Sequence, residues 1–223
     1  MPWLPIGSMY EYGIKREQTA YVSVKSHKYG SMNPYARFQK IVRLEEVLGS
    51  RMISEPLTLL QCCAGCDGAR ALVIGSSPNG KPEVCLTASA VSAGIDTSDL
   101  RDITKSGLTT AIATIAYLQA SIEPKDLDVV ELHDAFSISE LIYIEALGLC
   151  QQGEAPELMG KGHFDITGKV AVNPSGGLLS RGHPVGATGV AQLCELYWQL
   201  RGEAGLRQKP NARVGLTQTM GAV

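Results

Sequence analysis

The sequence lacks a surplus of charge of either sign. Its 223 residues carry 20 basic and 22 acidic side chains, which leaves a formal net charge of -2 at pH 7. A chain balanced in this way has no overall attraction for nucleic acid or for an anionic membrane surface. We therefore expect neither nucleic acid nor a membrane among its partners, and any charge-driven binding must be local.

Secretory signals and long apolar runs are also missing. The first residues have no basic region and are interrupted by Pro2 and Pro5, so they do not resemble a signal peptide. The uncharged stretch 106–122 falls short of the roughly 20 apolar residues that a membrane span requires, and we predict that it forms a buried helix. Together with six cysteines that show no disulfide pattern, these absences favour a reducing, cytoplasmic location.

The cysteines and two of the histidines indicate no metal site. Cys63 and Cys66 have the spacing of a zinc-binding pair, but a structural zinc needs about four ligands and no second pair follows. We expect these cysteines to be small buried hydrophobic residues. His27 and His163 belong to no motif and are expected at the surface.

The sequence does contain a basic segment near its N-terminus. Between Lys15 and Arg43 there are seven Lys or Arg residues and one acidic residue, Glu17. Such a run is either a solvated helix face or a cationic surface that binds phosphate groups. Residues 1–55 are predicted to form a helical and loop segment that precedes the main domain.

Beyond about Leu57, short apolar runs alternate with helical patterns, as in βα units stacked on one sheet. On the last helix, which starts near Gly186, one apolar face is formed by Val190, Leu193, Cys194, Tyr197 and Leu200. The other predicted helices are 108–120 and 139–147, and the predicted strands are 69–76, 84–91, 127–132, 170–172 and 213–217, with a turn at 77–80. We therefore expect residues 56–223 to form a layered α/β domain, a βαβα arrangement with a mixed sheet and helices on both faces.

Two histidines stand just past the C-terminal ends of predicted strands, where open α/β sheets bind ligands. His133 follows the strand 127–132, and His183 follows the strand 170–172 by a loop. An imidazole can accept and return a proton near neutral pH, and it can donate a hydrogen bond to an oxyanion. Glycines around His183 allow main-chain N–H groups to approach a ligand. These two histidines are the candidate catalytic residues.

Both histidines lie in runs that resemble one family. The run from Asn173-Pro-Ser-Gly-Gly to Gly182-His-Pro-Val-Gly-Ala-Thr-Gly is similar to the Gly-His-Pro signature of the thiolase superfamily, in particular of its sterol-carrier-type members. His133-Asp-Ala-Phe resembles the His-Asp-x-Phe motif of the same members, and Gln61-Cys-Cys-Ala-Gly-Cys-Asp-Gly-Ala and Asn33-Pro-Tyr are similar to other segments of theirs. The resemblance runs from about residue 9 to residue 223 and implies the C-terminal half of a thiolase-like fold.

The resemblance implies a role for each motif residue. In thiolases the histidine of Gly-His-Pro takes the proton of the nucleophilic cysteine, which makes His183 the general base. The residue that opens the second motif helps to polarise the thioester carbonyl, which gives His133 an oxyanion role. Coenzyme A or an acyl-CoA would be the substrate, with no permanently bound cofactor, and the basic segment within residues 1–55 would contact its phosphates. The loops that hold the CoA arm and the oxyanion would include Asp67, Gly68, Asn173, Gly177 and Gly221.

Two departures from the family pattern leave the activity open. The nucleophilic cysteine of thiolases belongs to their N-terminal half, and none of the six cysteines here stands in its context. The second catalytic cysteine of the family is also missing. Ala135 occupies its place in the His-Asp-x-Phe motif, and no cysteine follows Cys194.

Three functions are therefore compatible with the sequence. The first is one half of an acyl-CoA acyltransferase or 3-oxoacyl-CoA thiolase, inactive until the missing N-terminal half joins it. The second is a subunit of a thiolase-like retro-aldolase that works with a small OB-fold partner. The third is a non-catalytic remnant that binds CoA. The expected protein partner is a complementary N-terminal half or a second copy of this chain in a homo-oligomer.

Overall fold

The computed structural model describes residues 3–76, 84–92, 102 and 104–221, which form helices and short strands in alternation. The α-helices are α1 (Trp3–Tyr12), α2 (Arg16–Gly30), α3 (Leu44–Leu48), α4 (Gly107–Ala120), α5 (Ser137–Ala146), α6 (Ala155–Gly160) and α7 (Thr188–Arg201). The strands are β1 (Met52–Ser54), β2 (Leu57–Thr58), β3 (Val129–Glu131), β4 (Ala171–Val172) and β5 (Gly215–Thr217). A short π-helix spans Gly177–Arg181. The predicted turn at 77–80 lies outside the described residues.

Strand β3 is the centre of a parallel sheet in the order β4-β3-β5, and β1 and β2 form a separate antiparallel pair. Side chains alternate between the two faces of a strand. Val129 and Ala171 therefore pack with Leu196 of α7 on one face, whereas Val130 and Val172 join the apolar cluster of α5 on the other. Helices cover both faces of the sheet, which confirms the predicted α/β fold class. The predicted mixed sheet is not found among the described strands, because β4 and β5 both run parallel to β3.

Helix α2 packs the N-terminal segment against the loop that leads to the second histidine. The backbones of the helix and of the loop approach each other at Gly30 and Gly176. A Cβ atom added to Gly176 would lie only 2.9 Å from the Cα atom of Gly30, so a larger residue would not fit there. Gly176 also has a φ of +98°, a conformation that other residues rarely adopt. Residues 1–55 and 56–223 thus share a packed contact, and their division into two domains remains a prediction.

Two of the predicted strands are wrong. Residues 69–76 and 84–91 have the apolar composition of strands, but the structure forms no ladder in either segment, both of which it describes in full. The side chains of Val73 and Val91 are 97% and 91% exposed. A strand is stable only when a neighbour pairs its backbone and another layer covers its apolar face. Neither condition holds for these two segments.

The predicted burial of the stretch 106–122 is also wrong. The helix forms as α4, but its described buried positions are Thr109 and Ala113 alone, and Leu118 is 76% exposed. Composition shows that a helix is apolar, but it does not show whether another surface covers it. No helix in the described ranges is both long and apolar enough to cross a membrane.

The position of His27 differs from the expectation as well. Its side chain is buried rather than exposed, and its ring stacks on Phe38 with the ring centroids 5.9 Å apart. Burial lowers the pKa of His27, and the hydrogen bond of its Nδ1 to the carbonyl of Lys40 opposes this effect. His163 is half-buried beside Phe164. His27 and His163, the two histidines that belong to no motif, thus pack against aromatic side chains.

Candidate active site

His133 is held at the end of β3 by the C-terminal segment. Its main-chain N–H donates to Oε1 of Gln218 at 3.1 Å, and the N–H of Gln218 donates to the carbonyl of Glu131 at 2.9 Å. The preceding residue, Leu132, donates its N–H to Oδ1 of Asn173 at 2.7 Å. The backbone on either side of His133 is therefore fixed, and its imidazole is half-buried.

His183 is positioned by the loop that precedes α7. Its main-chain N–H donates to the carbonyl of Ala64 at 3.0 Å, and its Nδ1 lies 2.8 Å from Oγ1 of Thr188. The Thr188 hydroxyl has a single proton, which it donates to the carbonyl of Pro184 at 3.1 Å. With the hydroxyl proton directed to the Pro184 carbonyl, Thr188 accepts a hydrogen bond from Nδ1 of His183. This places the ring proton on Nδ1 and leaves Nε2 as the atom that can take up a proton.

The structure brings the two imidazoles together. Their ring centroids are 4.9 Å apart and the ring planes are nearly perpendicular, at 86°. Burial is the main cause that lowers the pKa of both rings. The neighbouring His183 lowers the pKa of His133 further, and Arg181 lowers the pKa of both. Both rings are therefore neutral at pH 7, the state in which one can accept a proton while the other donates an N–H.

Asn173, a candidate substrate-loop residue, is fully buried and bonded at both ends of its side chain. Its Oδ1 accepts the N–H of Leu132, and its Nδ2 donates to Oε2 of Glu140 at 2.6 Å. Glu140 in turn pairs with Nζ of Lys25 at 2.8 Å, and both of these side chains are buried. The φ of Asn173 is +51°, which is uncommon for a residue other than glycine. The structure thus places Asn173 in a buried network that supports the strand end before His133.

A second buried network holds the loop before His183. One guanidinium nitrogen of Arg181 pairs with Oε2 of Glu131 at 2.9 Å and donates to Oγ of Ser175 at 3.1 Å. Ser175 donates its hydroxyl and its N–H to the same carboxylate at 2.7 and 3.0 Å. Charged groups persist in the interior only when they are paired and hydrogen-bonded. Glu131 of β3 and Arg181 thereby join the two histidine segments.

The segment 61–68 forms another side of the site. Cys63 donates its N–H to the carbonyl of Ala135 at 2.8 Å, and Gly65 pairs with His183 in a parallel bridge. Asp67 is exposed at a cavity of ≈ 520 Å³ next to the histidine loop. This cavity is lined by Tyr35, Arg37, Gly65, Cys66, Asp67 and Arg181. Gly68 is exposed close to the side chain of Pro184, which a Cβ atom at 68 would approach to 3.1 Å.

The two remaining candidate glycines differ from each other. Gly177 opens the π-helix with a φ of +58°, and a Cβ atom there would overlap the carboxyl group of Asp134. Gly221 is exposed, and a Cβ atom there would meet no atom within 4 Å. Among the described residues, the structure therefore joins Gly177, but not Gly221, to the histidine networks.

The basic segment between Lys15 and Arg43 is not uniform. Lys25 is buried in its ion pair with Glu140, so the solvated-face interpretation does not hold for it. Arg37 donates to the carbonyl of Gly65 and lines the cavity beside Asp67, while the other basic residues of the run stay mostly exposed. Phosphate binding by this segment remains a prediction.

The cysteine cluster offers no metal site. Across residues 3–76, 84–92, 102 and 104–221, no group of three or more His, Cys, Asp or Glu side chains could hold a metal ion. Cys62, Cys63 and Cys66 are half-buried, so their expected burial is partial. Burial is the main cause that raises the pKa of Cys63 to about 11, with a smaller contribution from the neighbouring carboxyl group of Asp134. Its thiol is therefore protonated at neutral pH and is a poor nucleophile.

Sequence reasoning missed the residues that hold the two histidines. Thr188 sets the tautomer of His183, Gln218 holds the backbone of His133, and Asp134 lies between the two loops. Asp134 did carry a signal, because a carboxyl group next to a candidate histidine often orients a site. Lys25 and Glu140 carried none, since their pairing depends on how distant segments pack.

Comparisons with known proteins agree on one family. A family model described as "Thiolase C-terminal domain-like" matches residues 89–223. An acetyl-CoA acetyltransferase of Methanothermobacter thermautotrophicus is 44% identical over 218 residues, which cover 96% of this chain and 57% of that protein. Sterol carrier protein 2 of Oryctolagus cuniculus is 43% identical over 223 residues, which cover 96% of this chain and 41% of that protein.

A solved structure of the Ltp2-ChsH2(DUF35) aldolase has the same fold. It superimposes with a TM-score of 0.81 at 26% identity, covering 97% of this chain and 58% of that one. The chain thus spans roughly half the length of the proteins that it matches.

Proposed function

Because this chain belongs to the thiolase C-terminal domain-like family, we propose that it is the histidine-bearing half of a thiolase-type acyl-CoA acyltransferase. The observation that carries this proposal is the pair of imidazoles of His133 and His183, whose ring centroids are 4.9 Å apart. Two neutral rings at this distance can act on one small group, one as a base and the other as a donor. The acetyl-CoA acetyltransferase relative supports a CoA thioester as the substrate.

In the proposed reaction, a cysteine thiol from a complementary N-terminal half gives its proton to Nε2 of His183. The thiolate attacks the carbonyl carbon of the thioester, and the oxyanion that forms accepts a hydrogen bond from the ring N–H of His133. When the tetrahedral intermediate collapses, the C–S bond to CoA breaks and the acyl group stays on the cysteine. The CoA sulfur then takes the proton from His183, which restores the neutral base.

The remaining candidate residues support this reaction in two ways. Asp67 lines the cavity described above, and it lines a second cavity together with Gly68 and Pro184, so we assign Asp67 and Gly68 to the CoA arm. Asn173 and Gly177 act from within the buried networks, where they hold the two loops in place. Gly221 is kept as a substrate-loop residue on the resemblance alone. CoA or an acyl-CoA is the substrate in this proposal, and no cofactor stays bound.

The proposed protein partner is a thiolase N-terminal half that carries the nucleophilic cysteine. Apolar residues of α7, among them Val190, Tyr197 and Leu200, stay half-exposed, and Leu118 of α4 is exposed. Exposed apolar side chains of this kind are available to a protein partner. A second copy of this chain is the alternative occupant.

The test compares the purified chain alone with the chain mixed with a cysteine-bearing N-terminal half, for which the corresponding part of the archaeal relative is a suitable probe. We expect exchange of labelled free CoA into acetyl-CoA in the mixture and none with the chain alone, since a base without a nucleophile cannot form an acyl-enzyme. His183→Ala should lower the rate by about 100-fold or more. His163→Ala, a histidine outside the pair, should leave the rate unchanged.

Turnover by the chain alone that His183→Ala abolishes would contradict the proposal, because the chain would then contain its own nucleophile. In the mixture, His133→Ala should cost about 100-fold or more if the ring stabilises the oxyanion. His133→Asn, which keeps an N–H donor at this position, should recover part of this loss.

A second function is favoured by the similarity to the Ltp2-ChsH2(DUF35) aldolase. A retro-aldol cleavage needs a base for a hydroxyl proton and needs no cysteine, which fits the presence of Ala135 in the second motif. The two reactions differ in their demand for free CoA, since thiolysis consumes it and retro-aldol cleavage does not. Incubating the chain with a small OB-fold partner and a 3-hydroxyacyl-CoA, without free CoA, and assaying for a released carbonyl compound distinguishes them.

A further inference from the structure

Asp134 lies between the two histidine segments and is fully buried. It directly follows His133, and its Oδ1 accepts the main-chain N–H of Leu178 at 2.8 Å. Leu178 is the second residue of the π-helix Gly177–Arg181, which leads through one glycine to His183. The carboxyl group of Asp134 thus connects the backbone after one imidazole to the backbone before the other.

The packing around this carboxyl group leaves little room for adjustment. A Cβ atom on Gly177 would overlap both oxygens of Asp134, and the N–H of Gly177 is directed to Oγ of Ser175 at 3.3 Å. The far end of the π-helix is fixed as well, by the pair of Arg181 with Glu131. A displacement of the carboxyl group must therefore move the start of the π-helix.

We propose that Asp134 is the positioning residue that sets the separation of the His133 and His183 imidazoles, acting as a hydrogen-bonded link between their loops. Its bond to Leu178 fixes the first turn of the π-helix, and the short helix transmits this constraint to His183. The importance of the link for catalysis rests on the proposed function. The geometry itself can be measured without any turnover.

The charged and titratable groups around Asp134 favour the neutral form of its carboxyl group. Glu140 of α5, Arg181 of the π-helix and Cys63 of the segment 61–68 face it, and His133 precedes it. Burial, followed by the charge of Glu140, raises the pKa of Asp134 well above its usual range, against the opposing effects of the Leu178 N–H and of Arg181. Oδ2 has no hydrogen-bond partner among the described residues, and an ionised oxygen in that position would be the costlier state.

The first measurement is the pH dependence of unfolding for wild type and Asp134→Asn. The amide keeps an acceptor for Leu178 but cannot ionise. Above about pH 4, the usual pKa of an unfolded aspartate, a neutral folded Asp134 makes unfolding release a proton. The unfolding equilibrium constant of wild type should then rise relative to that of D134N by up to about tenfold per pH unit, until the folded-state pKa is reached. A ratio that stays flat or falls with pH would show that the folded Asp134 is ionised and would overturn its neutral form.

The second measurement is an NMR titration of the two imidazoles in the whole chain. In wild type, His183 lowers the pKa of His133, and the edge-to-face rings shift each other's proton resonances. D134N should keep both signatures, because it keeps the acceptor. D134A should lose the ring-current shifts and raise the titration midpoint of His133. The matched control is Glu145→Gln, which alters a half-buried carboxyl group that accepts N–H bonds from another loop and should change neither signature.

Each outcome of the titration decides the proposal. If D134A does not fold, Asp134→Glu, which displaces the carboxyl group by one methylene, should show the same loss of contact. An unchanged imidazole pair in a folded D134A or D134E overturns the proposal. Loss of the contact between the two imidazoles in Glu145→Gln also overturns the proposal, because a change far from Asp134 would then be enough to separate the rings. None of these readings requires acyl transfer, so a failure here is separate from a failure of the proposed function.

Discussion

Two regions of the molecule differ in which side chains they bury. The region around the two histidines buries charged residues, whereas the segments 69–76 and 84–92 and helix α4 expose apolar ones. Around the histidines, several charged or ionisable side chains are buried, namely Lys25, Glu131, Asp134, Glu140 and Arg181. In the segments 69–76 and 84–92 and on α4, apolar side chains such as Val73, Leu86, Val91 and Leu118 are exposed. The chain therefore contains polar residues in its interior and apolar residues at its surface.

The buried charged residues and the exposed apolar residues have different physical consequences. Burying a charge costs several kcal/mol unless a partner and hydrogen bonds compensate, so a buried polar network defines a geometry rather than adding stability. Here the networks end at the backbone beside His133 and His183. Exposed apolar surface instead gains free energy when another surface covers it. The first region therefore positions a site, and the second is available to a partner.

The largest effect is expected from breaking the buried ion pair. Glu140→Ala leaves the ammonium of Lys25 buried without its carboxylate and removes the acceptor of Asn173. We expect a loss of about 3–5 kcal/mol in the free energy of unfolding, measured by urea denaturation. Glu157→Ala, which breaks the exposed pair with Lys161, is the control and should leave the denaturation midpoint essentially unchanged. A small effect of Glu140→Ala would show that water reaches the pair.

The next effect compares two leucines that differ in burial. Leu141 of α5 is buried in the main apolar cluster, whereas Leu118 of α4 is exposed. Leu141→Ala should cost about 2–5 kcal/mol in the free energy of unfolding. Leu118→Ala should cost about 0.5 kcal/mol or less. If the two costs were equal, α4 would be covered in solution, and the sedimentation of the chain would show whether a second copy covers it.

The helices and strands of the core could be predicted from the sequence. The strand predicted at 127–132 contains β3, the strand at 213–217 contains β5, and the helix at 108–120 differs from α4 by one residue at its start. Each of these elements carries its own local signal in apolar periodicity and in the residues that end it. The two histidines also could be found, because their motifs are contiguous in the sequence.

Burial and pairing could not be predicted in the same way. The segments 69–76 and 84–91 have the composition of strands, but composition does not supply the neighbouring strand that would pair with them. The burial of Lys25 depends on Glu140, which lies far away in the sequence. Thr188 gave no signal of its own, since a threonine at a helix start usually serves as a cap. Such features depend on which distant segments the fold brings together.

The smallest of these effects concerns a single hydroxyl group, and it compares the same substitution in both regions. Thr188→Val removes the acceptor of the His183 Nδ1–H and the donor to the Pro184 carbonyl. We expect a loss of about 1 kcal/mol in the free energy of unfolding and a shift of the ring proton from Nδ1 toward Nε2, read from the ¹⁵N resonances of His183. The control is Thr114→Val on α4, whose hydroxyl donates to the carbonyl of Thr110. This substitution should leave the position of the His183 ring proton unchanged. An unaltered His183 tautomer in Thr188→Val would mean that a group other than the Thr188 hydroxyl keeps the ring proton on Nδ1.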